Sequence, residues 1–278
     1  MIKDNIKGRN VAGIIPLAGR DDALDMPWPD YLTPLAEGLT AIERAVYECA
    51  LARCDSIWVV CNDDTAPLVK KRIGDYVLDP EIFSRINFLF NPKDHQKHIP
   101  VFYVPVSQKD RGRRDSLGWS VLQGALNAFI VSQRISKWVV PSKYFVCFPY
   151  GLYDPNVIKG KHSIISSQDS FYMGYKNKTV RDGLYLPFTF NPEDWIKFKN
   201  LVKNQCTGGN KKIPIHERWS SKNFKLDKIF NCDNIEVCNI EEVEEYYSLD
   251  SWDSLKRYYQ SDLSLRQPSK KIIKPFYK

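Results

Sequence analysis

Through its first half the chain alternates short, fully apolar runs with amphipathic stretches. Residues 11–17 (VAGIIPL), 56–61 (SIWVVC), 101–106 (VFYVPV) and 144–148 (YFVCF) are apolar at successive positions. Strands buried on both faces read this way. Between them apolar residues recur at helical spacing. Thr40 and Glu43 form a capping box, and Ile42, Ala45, Val46, Cys49 and Ala50 follow on one face. A second helix is predicted over 66–76. A longer one follows Asp115, its expected cap, with Leu117, Val121, Leu122, Ala125, Leu126, Phe129 and Ile130 on the buried face. Strands joined by single helices predict an α/β fold with three α/β/α layers and a mostly parallel, Rossmann-like central sheet.

Beyond Asp154 the pattern shortens into a smaller mixed part. Strands are expected at 163–165, 171–176 and 183–190, a helix at 192–204, a glycine-rich loop at 208–212 and a strand near 235–238. An acidic, aromatic helix over 241–259 then leads into a basic tail from 263. This divides the chain into an α/β domain over 1–240 and a C-terminal helix with a basic arm over 241–278.

Composition narrows the class without changing this picture. Of 278 residues 43% are hydrophobic and 26% charged, which is ordinary globular usage and excludes disordered or collagen-like chains. No apolar run nears the roughly 20 residues that span a bilayer, and the short run at 11–18 enters a polar loop, unlike a signal peptide. A cytoplasmic protein with no membrane partner is expected. The 7 cysteines include no Cys-x-x-Cys pair and read as reduced thiols. The net charge of +7 gathers at 109–114 and 270–278. One basic loop beside Trp119, without regularly spaced aromatics, does not call for nucleic acid. His95 and His98 lack the further ligands a zinc site needs.

In an open parallel sheet, ligands bind beyond the carboxyl ends of the strands. That selects the loop 18–38, with Arg20, Asp21, Asp22 and Asp25, and the loop 107–114, with Gln108, Lys109, Arg111, Gly112, Arg113 and Arg114 ahead of a helix. Helix-start N–H groups and arginines favour an anion, and facing acidic and basic loops suit a metal-assisted reaction on a phosphorylated substrate. Asn62, Asp63 and Asp64 sit at a third strand end, where an aspartate is expected to cap the following helix.

The order of these loops resembles that of the sugar-nucleotide pyrophosphorylases, nucleotidyltransferases of the GT-A type. That family runs a strand into L-x-A-G-x-G-T-R-L, then P-K-x-L-x-P, then a helix. Here Ile15-Pro16-Leu17-Ala18-Gly19-Arg20 is followed by Pro29-Asp30-Tyr31-Leu32-Thr33-Pro34-Leu35 and the helix from Thr40. Gln108 through Gly112, on to Ser116 and Leu117, is similar to the family's loop and helix start for base and ribose. Tyr144–Phe148 leads to Pro149-Tyr150-Gly151, where the family has a Gly-Asp pair whose aspartate holds magnesium. The likeness covers roughly residues 11–160.

The resemblance implies a nucleotide or nucleotide-sugar ligand held by Leu17, Ala18, Gly19, Gln108, Arg111, Gly112, Arg113 and Arg114. It implies Arg20, Asp21 and Asp22 at the reacting centre, and Mg2+ with Asp154 as a substitute ligand. The reaction implied is transfer of a nucleotide to a sugar phosphate with release of pyrophosphate. The departures fall on the chemistry. Gly19-Arg20-Asp21-Asp22-Ala23 replaces the phosphate loop, Asp30 stands where the family has lysine, and the Gly-Asp pair is missing. They motivate an alternative: a catalytically degenerate member acting as a binding or structural subunit of a larger assembly, cellular or viral. A homo-oligomer contact or assembly partner is then expected at the C-terminal arm, through Phe276 and Tyr277.

Overall fold

The computed structural model describes residues 10–80, 98–106, 115–206, 214–219, 224–231 and 239–268. Its centre is the predicted set of apolar strands: β1 (Val11–Pro16), β4 (Ser56–Cys61), β6 (His98–Pro105) and β7 (Lys143–Val146). β1 pairs in parallel with β4 on one side and β7 on the other, and β4 pairs in parallel with β6. β5 (Tyr76–Leu78) closes one edge antiparallel to β6. Beyond β7 lie β10 (Phe188–Phe190), β9 (Phe171–Gly174) and β11 (Asn239–Glu242), giving the order β11-β9-β10-β7-β1-β4-β6-β5. Short pairs β2–β3 (Pro34–Ala36, Leu39–Thr40) and β8–β12 (Gly151–Leu152, Tyr247–Ser248) complete the strands.

The layers follow from the two-residue period of β1. A side chain on Gly13 would meet Cys49 of α1 (Ala41–Leu51), whereas Ile14 points at Gly124 of α3 (Leu117–Ile135). Successive residues face opposite ways, so the two helices cover opposite faces of the sheet. α1 starts as read, with Glu43 reaching back to the Thr40 N–H at 2.9 Å. Its inner face carries a buried ion pair, Arg44 to Glu48 at 2.6 Å. Arg44 also donates to the Gly151 carbonyl, and Tyr153 and Cys147 donate to Glu48. This network braces the turn after β7.

Several expectations are corrected. The helix at 66–76 is α2 (Ala66–Ile73), stopped by Gly74 at a positive φ of 89° that favours glycine, and the chain continues into β5. Thr65 occupies its N-cap, and Asp64 accepts the Thr65 N–H. Ser116, not Asp115, caps α3, accepting the Trp119 N–H. Phe129 and Ile130 lie on the exposed side of α3. Residues 163–165 belong to a helical turn, α4 (His162–Ile165), while the helix at 192–204 stands as α5 (Pro192–Cys206). The single helix at 241–259 is instead β11, β12 and α7 (Trp252–Gln260), after α6 (Leu226–Phe230).

The boundary at 240 therefore falls inside β11, a strand of the main sheet. Residues 247–263 are fastened to the early loops. Leu249, Leu255, Tyr258 and Leu263 pack with Leu24, Leu35 and Leu152 in a second small core. The Trp252 indole donates to the Leu24 carbonyl at 2.9 Å. The tail read from 263 is corrected at its start, where Asp262–Arg266 form a short helical turn with Leu263 buried in this core; its remainder from 269, the glycine-rich loop at 208–212 and the strand near 235–238 lie outside the described residues. Among the described residues no helix is long and apolar enough to cross a membrane.

Candidate active site

Counted along the chain, the parallel strands lie in the order third, second, first, fourth, so the connections reverse direction beside β1. A crevice at the carboxyl ends of the strands is the consequence. Beside this reversal is a cavity of about 690 Å³, walled by Gly19, Arg20 and Asp21 after β1, Asn62 after β4, and Asp115, Ser116 and Leu117 at the start of α3. Gly183, Tyr185 and residues 224–227 complete its lining.

The end of β1 is pinned before it reaches this cavity. Leu17 and Ala18 both donate their N–H groups to the Val60 carbonyl, at 2.8 and 3.2 Å. Their own carbonyls accept from the Tyr150 and Ser120 hydroxyls at 3.1 and 2.8 Å. Both residues are buried, so they hold the loop from behind. Gly19 then turns through φ 84°, lying flat on the helix cap: a Cβ there would stand 2.3 Å from the Ser116 nitrogen. Only glycine combines that torsion with so close a backbone approach. The β1 loop and the first turn of α3 thus meet at the cavity with no side chain between them. The buried Asn62 Oδ1 on the wall has no protein donor among the described residues.

Arg20 turns inward. Its Nη1 is 2.6 Å from Asp30, whose side chain is wholly buried, and its Nη2 donates to the Leu249 carbonyl at 2.8 Å and to Asp250 at 2.9 Å. The guanidinium lies over the Tyr150 ring, 4.2 Å from its centre, with Tyr185 at 5.6 Å. Burial opposes its charge, but the surrounding tyrosines and the bonds to Asp250 and Asp30 hold its pKa above the ordinary arginine value. Asp30 is further held by the N–H groups of Ala23 and Leu24, at 2.7 and 3.3 Å. Asp22 accepts the Asp30 N–H at 2.9 Å.

The expected metal carboxylates do not come together. Asp21 is exposed on the cavity wall, and Asp22 is engaged with the Asp30 backbone. Asp154 lines a different cavity of about 430 Å³, beside Lys159, Glu241 and Arg266. A short polar side chain before proline caps a helical turn, and Asp154 does so, accepting from the Asn156 N–H at 2.9 Å. Among the described residues no three His, Cys, Asp or Glu side chains stand together as a metal set. The trio Asp21, Asp22 and Asp154 does not fit a magnesium ion. Gln108, Arg111, Gly112, Arg113 and Arg114 lie outside the described residues.

The structure adds residues that sequence reasoning missed. Tyr185 sat within a stretch read as strand, and 224–227 carry no motif. Only the tertiary fold brings them to the β1 loop.

No protein-family model matches the chain, and no curated protein matches it by sequence. Solved structures do match in fold. A putative glucose-1-phosphate thymidylyltransferase from Bacillus anthracis, in complex with a sucrose, superposes with a TM-score of 0.54 at 10% identity, over 96% of this chain and 98% of that one. The nucleoside-diphosphate-sugar pyrophosphorylase of Vibrio cholerae RC9 gives 0.54 at 12% identity, over 90% and 100%. A UDP-glucose pyrophosphorylase complexed with UDP-glucose gives 0.51 at 14%, over 91% and 99%. The chain has the α/β fold of the sugar-nucleotide pyrophosphorylases and related nucleotidyltransferases, as its loop order implied. Likeness at this identity is a likeness of fold, and one fold serves many functions.

Proposed function

We propose that the cleft beside Gly19 binds a nucleotide or nucleotide sugar, and that the chain works as a nucleotidyltransferase-like protein on a sugar phosphate. The observation that carries this reading is the contact of Gly19 with the Ser116 backbone. It brings a glycine turn and the N-terminus of a 19-residue helix to one cavity, where N–H groups and the helix dipole attract an anion. The volume lies within the range of small-ligand pockets. The unmatched Asn62 acceptor suits a ligand with polar hydrogens.

In the reaction, an oxygen of the sugar phosphate bonds to the α-phosphorus of the nucleotide, and the bond to pyrophosphate breaks. The protein's part is to orient both groups and to meet phosphate charge. A second reading, binding without transfer, is favoured by one observation: Arg20 is ion-paired with both Asp30 and Asp250.

A thermal-shift screen against nucleoside triphosphates and nucleotide sugars, with and without magnesium, tests the first step. A ligand at a hundred times its Kd adds about 2.7 kcal/mol of stability. Pyrophosphate release with sugar phosphates then separates the readings. A shift with release supports transfer, and a shift without release for any sugar phosphate supports binding alone. No shift with any nucleotide refutes both.

A further inference from the structure

We infer that Lys225 supplies positive charge that meets the phosphate groups in the cleft, a role the sequence reading gives to Arg20 together with the loop of Arg111, Arg113 and Arg114. This rests on the nucleotide reading of the cleft. Among the described residues lining it, Arg20 and Lys225 are the cations. Arg20 is matched by two carboxylates and lies flat on Tyr150. Lys225 has no ion-pair partner among the described residues, and it is exposed on the cleft wall. Asp21, Asp115 and Asp227 share these walls and repel an anion, so Lys225 marks the side on which a phosphate gains charge.

Local packing fixes the orientation of this lysine. Phe224 and Leu226 on either side are 0% and 5% exposed, so in the extended backbone at 225, with φ −65° and ψ 159°, the intervening side chain faces outward. The Lys225 carbonyl accepts the N–H groups of Lys228 and Ile229, at 3.1 and 3.3 Å. Gly118, in the first turn of α3, touches the same segment. A Cβ on it would stand 2.7 Å from Ile229 Cδ1 and 3.1 Å from the Phe224 carbonyl oxygen. The segment bearing Lys225 is thus seated on the helix turn that also meets Gly19. The cation and the glycine loop both line one cavity.

The test uses the full chain with Lys225→Ala and Lys225→Arg, titrated with the best-binding nucleoside triphosphate of the screen and with its unphosphorylated nucleoside. Loss of one charge-assisted hydrogen bond predicts triphosphate binding about ten- to hundredfold weaker in Lys225→Ala. Nucleoside binding and melting temperature are expected to stay at wild-type values, because the side chain is exposed. Lys225→Arg is expected to retain most of the affinity. Triphosphate binding by Lys225→Ala equal to wild type overturns the inference while leaving the cleft reading intact. A wild-type chain that binds no nucleotide overturns the cleft reading, and this inference with it.

Discussion

Removing Arg20 separates a strut from a ligand. Asp30 is completely buried and Arg20 is 9% exposed, with 2.6 Å between their charged atoms. Two unit charges about 4 Å apart at an effective dielectric of about 20 attract by about 4 kcal/mol. Truncating one partner of a buried pair costs about 3–5 kcal/mol, because the other charge is left unmatched. In Arg20→Ala the Asp30 carboxylate keeps the N–H groups of Ala23 and Leu24, which places the cost near the lower end, about 3 kcal/mol. The half-exposed Asp250 adds under about 1 kcal/mol. Urea unfolding without nucleotide is the assay, and at this chain length the loss corresponds to a melting temperature lower by roughly 5–7 °C. Asp30→Asn in the Arg20→Ala background removes the stranded charge and should recover part of the loss, a coupling of about 2 kcal/mol. The reasoning is refuted if Arg20→Ala changes ligand-free stability by less than about 0.5 kcal/mol while abolishing nucleotide binding. Arg20 would then be the phosphate ligand its sequence position suggests.

Two further outcomes follow from single contacts. Gly19→Ala combines a φ of 84° with a Cβ 2.3 Å from the Ser116 backbone, which no side-chain rotation relieves. A loss of about 2–4 kcal/mol in thermal or urea unfolding is expected, together with loss of the nucleotide shift; a Gly19→Ala protein that melts and binds as wild type contradicts the site geometry. Burial also pushes the Cys61 and Cys147 thiols up to about 12 from an ordinary value of 9.0. With folded values above the unfolded ones, their stabilising contribution is complete below pH 9 and is lost between 9 and 12, by up to about 1.4 kcal/mol per pH unit for each thiol. Urea midpoints across that range should fall less steeply in Cys61→Ala and Cys147→Ala, and native protein at pH 8 should resist alkylation at both positions.

The parallel half of the fold was legible because its central strands β1, β4 and β7 are buried on both faces. Val11–Pro16 and Ser56–Cys61 are continuous apolar runs, and nothing in them competes with that reading. The buried face of α3 was misread for a definite reason. Gly124 brings the helix onto Ile14 and Val60 so closely that a Cβ would stand 2.8 and 2.9 Å from them. Small residues, Ala125, Ala128 and Ser132, therefore face inward, and the larger Phe129 and Ile130 are displaced to the rim. A stripe drawn through the largest apolar side chains misses such a contact. The segment 241–259 was misread because its strands are marginal in sequence. β11 is an edge strand carrying Glu241 and Glu242, and only its pairing with β9 makes it a strand. At the site, Gly19 was legible from the loop order. Phe224 to Asp227 were not, since more than a hundred residues separate them from the helix turn they touch.

The departures at 20 and 30 look like independent losses in the sequence, but in the structure they are one exchange. An aspartate buried as deeply as Asp30 requires a cation, and Arg20 is the residue placed to supply it. Once paired, the two charges point into the loop, and Arg20 reaches onward to Leu249 and Asp250. The loop is thereby tied to the segment carrying β12 and α7, whose small core packs against Leu24 and Leu35. Electrostatics that could face a ligand is spent on holding the C-terminal segment to the mouth of the sheet. On the nucleotide reading, a cleft built this way takes its charge from other elements, and the segment seated on Gly118 carries Lys225 to its wall.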